Sequence, residues 1–335
     1  MALLKRSSDR SPRPGRHRHR VAKIIGIVAL ALVALGLVSA SVNMILTKQE
    51  KSRFAPYGQR VAVDGGSLNV WRNGHTGPTM VLLSGLGTAA PALDFAPLIR
   101  QLGAYNVIVV EGFGYGYSDM SARPRTVQNI TAELHDVLAK IGAPKPYILV
   151  GHSIAGFYTL SYAHRYPQEV SAVVGIDPTV PAGKAGSGGT SGLPVHAVGA
   201  ALTASGLVRA AFTLSPGLAE PKGNAYTNEA RAQIRAMSIW NFGNAAVSDE
   251  TNRTGSNATA LRGVTYPDSL PVLDLLASES VAMDQNWVQL HEDQLRNVQH
   301  HEVVVLDGGH YLHWTQSKAM ADKITAFLDA NLVRR

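Results

Sequence analysis

The sequence predicts an α/β protein: a mostly parallel central sheet flanked by helices, with a helical lid and one transmembrane helix ahead of it. Three observations carry that expectation. From residue 80 onward, short apolar runs of strand length alternate with stretches of helical periodicity, a rhythm that implies crossovers between parallel strands. The run Tyr147-Ile148-Leu149-Val150 passes directly into Gly151-His152-Ser153-Ile154-Ala155-Gly156, which places a serine at an abrupt strand-to-helix corner. And Ile24 to Leu46 contains no charged residue.

Taken in order, the first segment is strongly basic. Residues 1–51 hold ten Lys/Arg against two Asp/Glu, whereas the remaining chain is balanced to −1, so the overall formal charge of +7 belongs to the N-terminus. A duplex-binding surface needs a basic stripe on the folded part, and no nucleic-acid partner is expected. The apolar run is 23 residues long, enough to cross a bilayer with some tilt. The basic tail, residues 1–23, then stays cytoplasmic and everything after about residue 48 lies outside. A signal peptide cleaved near Val38-Ser39-Ala40 is the competing reading, with secretion as its consequence. The run continues past Ala40, which a short signal core does not require, and this favours a retained anchor. With no cysteine, disulfides, Cys-ligated metals and a thiol nucleophile are all excluded.

Beyond the anchor, Arg60 to Val63 and Ser67 to Trp71 flank Asp64-Gly65-Gly66 and read as a hairpin. Met80 to Leu83 is a strand buried on both faces, followed at once by Ser84-Gly85-Leu86-Gly87. A helix is expected over Ala92 to Leu102. A strand over Asn106 to Val110 leads into Gly114-Tyr115-Gly116-Tyr117-Ser118. Val127, Ile130, Leu134, Val137, Leu138 and Ile141 recur at helical spacing behind Thr126 as N-cap. Ser171 to Ile176 is a further buried strand ending at Asp177-Pro178. Residues 179–268 interrupt the rhythm with a Gly/Ser-rich stretch over 182–192 and two helical patterns, near Val195 to Phe212 and Asn228 to Phe242, as an inserted lid requires. Regularity resumes at Leu270, and Val303 to Leu306, the loop Asp307-Gly308-Gly309-His310 and a final apolar-faced helix close the chain.

The corner at Gly151–Gly156 carries the chemistry. Small residues on either side of Ser153 let the backbone turn sharply, which lifts the hydroxyl above the sheet at a helix N-terminus, where the Ile154 N–H and the helix dipole can stabilise an anion. A serine hydroxyl needs a base to take its proton. His310, in a Gly-Gly loop after the last strand, is the best placed of the twelve histidines. His152 reads as a packing residue and His313 as structural. His291, His300 and His301 lack metal-ligand spacing.

Four motifs in this order, Ser84–Gly87, Gly114–Ser118, Gly151–Gly156 and Gly309-His310, each behind an expected strand, make the chain resemble the α/β-hydrolase family over residues 55–333. The resemblance implies an oxyanion hole built from the backbone N–H groups of Leu86 and Ile154. It also implies a carboxylate that orients His310. Relatives usually place an Asp a few residues after the strand near Leu270 to Leu276, but Ser280 stands at that position here. Asp177, at the end of an earlier strand as in some relatives, and Glu279 are the two candidates; Asp274, Asp284 and Asp307 point into a strand or lie off the expected turns. The activity so implied is that of a serine esterase with a small-molecule acyl substrate and neither metal nor organic cofactor; an amidase, a peptidase or a carbon–carbon bond hydrolase on the same triad, and a non-catalytic ligand-binding or sensory protein of this fold, are the alternatives. Trp240, Phe242 and Met237 are candidates for an apolar pocket wall, and Asn129, Asn252 and Asn257 match glycosylation sequons. Substrate identity and oligomeric state are not written in these motifs.

Overall fold

The computed structural model describes residues 15–182 and 195–332. Most of the Gly/Ser-rich stretch and much of the basic tail therefore lie outside the described residues. The described residues begin with a long helix, α1 (Gly15–Arg53), one helix long and apolar enough to cross a membrane. Residues from Val21 to Leu37 along it are exposed.

The sheet is assembled from β1 (Gln59–Val63), β2 (Gly66–Arg72), β3 (Thr79–Leu83), β4 (Asn106–Glu111), β5 (Tyr147–His152), β6 (Val170–Ile176), β7 (Val272–Ala277) and β8 (His301–Leu306). Its spatial order is β1-β2-β4-β3-β5-β6-β7-β8. The β1–β2 and β2–β4 pairings are antiparallel and the other five parallel, as alternating apolar strands and crossovers anticipate. Strands β3 and β5 are buried along their whole length because helices cover both faces. One face packs Val81, Leu149 and Val173 against α4 (Val127–Lys140) and α5 (Ala155–Arg165). The other packs Met80, Ile148 and Val174 against α3 (Ala96–Gln101) and α13 (Ser317–Leu332).

The helix expected over Ala92 to Leu102 is divided into α2 (Pro91–Asp94) and α3, with Phe95 between them and Pro97 inside the first turn of the second. Thr126 caps α4 as expected, accepting the Asn129 N–H. Between β6 and β7 the described residues form four α-helices: α6 (Val195–Ala204), α7 (Leu207–Leu214), α8 (Asn228–Asn241) and α9 (Ala245–Ala260). Short helices α10 (Ser278–Met283) and α11 (Trp287–Leu295) connect β7 to β8, and α12 (Leu312–Thr315) follows β8.

Candidate active site

Three strand ends converge at the carboxyl edge of the parallel sheet. At the end of β5 the chain turns into α5 through Ser153, whose φ of 55° lies in the left-handed region. That turn exists because its neighbours are small: a Cβ on Gly151 would stand 2.9 Å from the Ala155 carbonyl oxygen, and one on Gly156 would stand 2.7 Å from that of Thr179. The Ser153 carbonyl accepts the N–H groups of Gly156 and Thr179 at 2.9 and 2.8 Å, which fixes the corner from both sides.

Beyond β8, His310 reaches back over the sheet edge. Its Nε2 lies 2.8 Å from Ser153 Oγ and its Nδ1 lies 2.6 Å from Asp177 Oδ2. Asp177 sits just past β6 at φ 43° and is fully buried, while the His310 ring is partly open to solvent. Three further donors converge on the Asp177 carboxylate: Ser280 Oγ at 2.5 Å, Trp287 Nε1 at 2.9 Å and the Ala277 N–H at 3.2 Å. Burial by itself raises the pKa of this carboxyl. Hydrogen bonds from His310, Ser280 and Trp287 outweigh it and hold the group below the usual carboxylate range.

Of the two acids the sequence leaves open, the structure therefore brings Asp177 to His310. Glu279 lies against the same loop, its Oε2 3.0 Å from where a Cβ on Gly309 would be, but the hydrogen bonds of the His310 ring go to Asp177 and Ser153 and not to it. Ser280, the serine at the turn where relatives usually carry the acid, supports the carboxylate that replaces it.

The loop after β3 passes directly over the corner. A Cβ on Gly85 would lie 3.1 Å from Ser153 Cβ and 2.7 Å from His152 Nδ1, so only a bare backbone fits there. Thr88 N–H closes a turn onto the Gly85 carbonyl at 3.3 Å, with Leu86 inside that turn. Ile154 begins the turn into α5. Among the described residues neither the Leu86 nor the Ile154 N–H is paired. Free backbone donors next to a serine are the kind of group that can stabilise a developing oxyanion.

His152 does more than pack. It is fully buried, and its Nε2–H donates to the His310 carbonyl at 3.1 Å, tying the histidine loop to the serine corner. Burial, with His313 and His310 nearby, pushes its pKa well below the ordinary histidine value, so the ring is neutral. His313 is buried against Asp94 at 2.6 Å and is a structural group. A cavity of about 370 Å³ opens between Gly87 and Ala89 of the β3 loop and the inserted helices, with Phe212, Leu218, Phe242 and Val247 as apolar wall. Phe242 thus lines it as expected; Met237 is wholly buried among Ala90, Tyr226 and Ile234, and Trp240 faces α1.

Sequence reasoning missed a buried polar network that lines a separate pocket with Leu83, Ser84 and Arg125. Tyr115 Oη and Tyr158 Oη donate to the two oxygens of Glu250, at 2.9 and 2.5 Å, and the Gly87 N–H reaches Tyr115 Oη at 3.4 Å. Burial raises the Glu250 carboxyl, offset in part by Tyr158, Arg125 and Tyr115. The only signal available in the sequence is Tyr115 itself, inside the Gly114–Ser118 motif. Asn257 is likewise committed: its side chain accepts the Val127 N–H and donates to the Arg125 carbonyl, both inside the core.

Fold and site together define a hydrolase of the α/β class. Residues 80–323 match the alpha/beta hydrolase family, and the chain belongs to it. Among curated proteins it is 35% identical over 164 residues to the uncharacterized protein YbdG of Bacillus subtilis, covering 48% of this chain and half the length of that relative. The fold is shared with Epoxide Hydrolase A from Mycobacterium thermoresistibile, at a TM-score of 0.60 and 20% identity, over 82% of this chain and 98% of that one. It is shared also with a bacterial membrane phospholipase A, at 0.53 and 19%, over 93% and 98%.

Proposed function

We propose that the chain is a membrane-anchored serine hydrolase that cleaves an ester or related acyl substrate through an acyl-enzyme. One observation carries this reading: Ser153 Oγ, the His310 ring and the Asp177 carboxylate stand in hydrogen-bonded series, at 2.8 and 2.6 Å. Ser153 attacks the carbonyl carbon while its proton passes to His310 Nε2, and the Leu86 and Ile154 N–H groups hold the oxyanion. The His310 proton then goes to the leaving alkoxide, which departs and leaves Ser153 acylated. Water, deprotonated by His310, hydrolyses that ester and restores the serine. Asp177 fixes the tautomer with Nδ1–H toward itself and stabilises the imidazolium in each step. The inserted helices over the 370 Å³ cavity act as the lid. A nucleophilic serine also speaks against the epoxide-hydrolase branch of the fold, which attacks with aspartate.

Retention of the anchor is supported by the use the folded part makes of it. Asn43, Thr47 and Glu50 of α1 all hydrogen-bond Arg209 of α7, so the end of this helix belongs to the packed structure. With the basic segment cytoplasmic, the hydrolase lies outside. A fluorophosphonate probe is expected to label the full chain at Ser153 and nowhere in Ser153→Ala. Turnover of p-nitrophenyl butyrate falls at least about a thousandfold in that variant. A folded wild type that is never labelled, or an alanine variant that still turns over, overturns the reading.

A further inference from the structure

Helices α6 and α7 meet at a bend of 75° and form a hairpin whose tip rests on α1. Ser39 Oγ donates to the Ser205 carbonyl at 2.7 Å and Asn43 Nδ2 to the Thr203 carbonyl at 2.9 Å. Gly206 makes the approach possible: at φ 83°, a Cβ there would lie 2.8 Å from Ser39 Oγ. Farther along α1, Arg209 grips Glu50 through both terminal guanidinium nitrogens, with Thr47 accepting a further bond from Nη2 and Asn43 one from Nε. The tip is thus held at a fixed height on α1.

That height can be placed against a bilayer. The uncharged run starts at Ile24, and at 1.5 Å per residue Ser39 lies about 22 Å along the helix and Leu46 about 33 Å, against a hydrocarbon thickness of about 30 Å. The Ser39–Ser205 bond therefore falls within the outer leaflet, and the Arg209–Glu50 pair at its head-group boundary. The hairpin tip is dressed for that position. Leu202 and Leu207, flanking the bend, are 38% and 58% exposed, while the polar backbone groups of Thr203 and Ser205 are turned onto α1. Water is a poor solvent for such a tip and lipid a good one.

We propose that the α6–α7 hairpin is itself a membrane-inserted element, its tip dipping beside α1 into the acyl region of the outer leaflet. The proposal rests on the reading of α1 as a retained anchor. It goes beyond that reading, because it makes the lid a second point of membrane contact and fixes the catalytic domain's orientation on the bilayer. Its partner is the lipid acyl chain, reached through the leucines at the bend.

The chain has no cysteine, so single labels are clean. The full-length variants Leu207→Cys, Leu32→Cys and Met283→Cys are each labelled with bimane. They are then reconstituted in vesicles of phosphatidylglycerol and bromine-bearing phosphatidylcholine. Helix content and melting by circular dichroism verify that each is folded. The expected result is quenching of about twofold or more at positions 32 and 207, relative to unbrominated vesicles, and none at 283, because bromine quenches only within the acyl region. Quenching at 32 without quenching at 207 overturns the proposal and leaves the anchor standing. In that case, access of aqueous iodide to position 207 identifies water as its environment, and access of neither quencher identifies a second copy of the chain. No quenching at 32 overturns the anchor and the hairpin contact together.

Discussion

At the scale of single residues, the Asp177 carboxylate is the group on which the proposed site turns. Ser280 Oγ and His310 Nδ1 contact the same oxygen of Asp177, at 2.5 and 2.6 Å, so a carboxylate introduced at 280 points at the space the native one fills. Asp177→Ser should lower turnover about 10³- to 10⁴-fold, by analogy with loss of the acid in serine triads. Adding Ser280→Asp to it should recover part of that loss. Glu279→Gln, one residue away, should change turnover less than about threefold, since the residue lacks a bond to the imidazole. Steady-state kinetics on one soluble ester test all three, and no recovery in the double variant refutes the shared position. The serine and the histidine were legible because a tight corner and a glycine loop leave marks in local composition. Asp177 was not separable from Glu279, because which carboxylate meets an imidazole is set by strand register more than a hundred residues away. His152 makes a second prediction. Its pKa is depressed on folding, so the unfolded chain takes up a proton first as pH falls below the free histidine value. Any stability this residue contributes is therefore present above that value and declines below it, by at most about 1.4 kcal/mol per pH unit. Denaturation of wild type and His152→Gln between pH 8 and 5, on the order of three units across the histidine range, should show the wild type losing its advantage toward acid.

Among elements, strands and amphipathic helices were readable and polar connectors were not. Strands β3 to β6 coincide with unbroken apolar runs, since burial on both faces leaves no other composition. Helix α9 escaped notice because its sequence, AAVSDETNRTGSNATA, carries no apolar stripe. It buries only the small Ala246 and Ala258 in the core, and the rest of its seating is polar: Asn244 caps its first turn, Asn257 ties it to α4, and Glu250 receives Tyr115 and Tyr158 from the β4 loop and α5. Periodicity in hydrophobicity cannot reveal a helix seated by hydrogen bonds. Loss of either tyrosine hydroxyl strands a buried carboxylate oxygen, and Tyr115→Phe and Tyr158→Phe should each cost about 1–3 kcal/mol. Urea midpoints at unchanged slope measure that. The two differ in kinetics. Only Tyr115 Oη also receives the Gly87 N–H, next to Leu86, so Tyr115→Phe should lower kcat severalfold with KM little changed, and Tyr158→Phe should not. Equal kinetics in the two variants would mean the network is a structural brace alone.

For the molecule as a whole, the helix that the sequence marks as an anchor and the insertion it marks as a lid are parts of one assembly. Neither composition nor periodicity foretold this, because the tie is made by side chains far apart in sequence. Arg209 and Glu50 are its centre: the arginine is 11% exposed and the glutamate 25%, and each finds neutral donors or acceptors around the ion pair. A pair so placed is screened less than a surface one, and removing a single partner leaves the other charge partly buried without compensation. Trp240 of α8 also donates to Glu50, which extends the tie to a third helix. In Arg209→Ala the sheet keeps its own packing, and the destabilisation is confined to the helices that lean on α1. Amide hydrogen exchange on the full chain should therefore quicken about tenfold or more over 195–214, with strands β3 to β6 unaffected, because local opening draws on local contacts. Arg209→Lys should recover little, since one ammonium cannot reach Glu50, Thr47 and Asn43 together as the guanidinium does. Uniform acceleration through the sheet would show instead that this contact supports the global fold. Unchanged exchange over 195–214 would show that the insertion holds itself in place without α1.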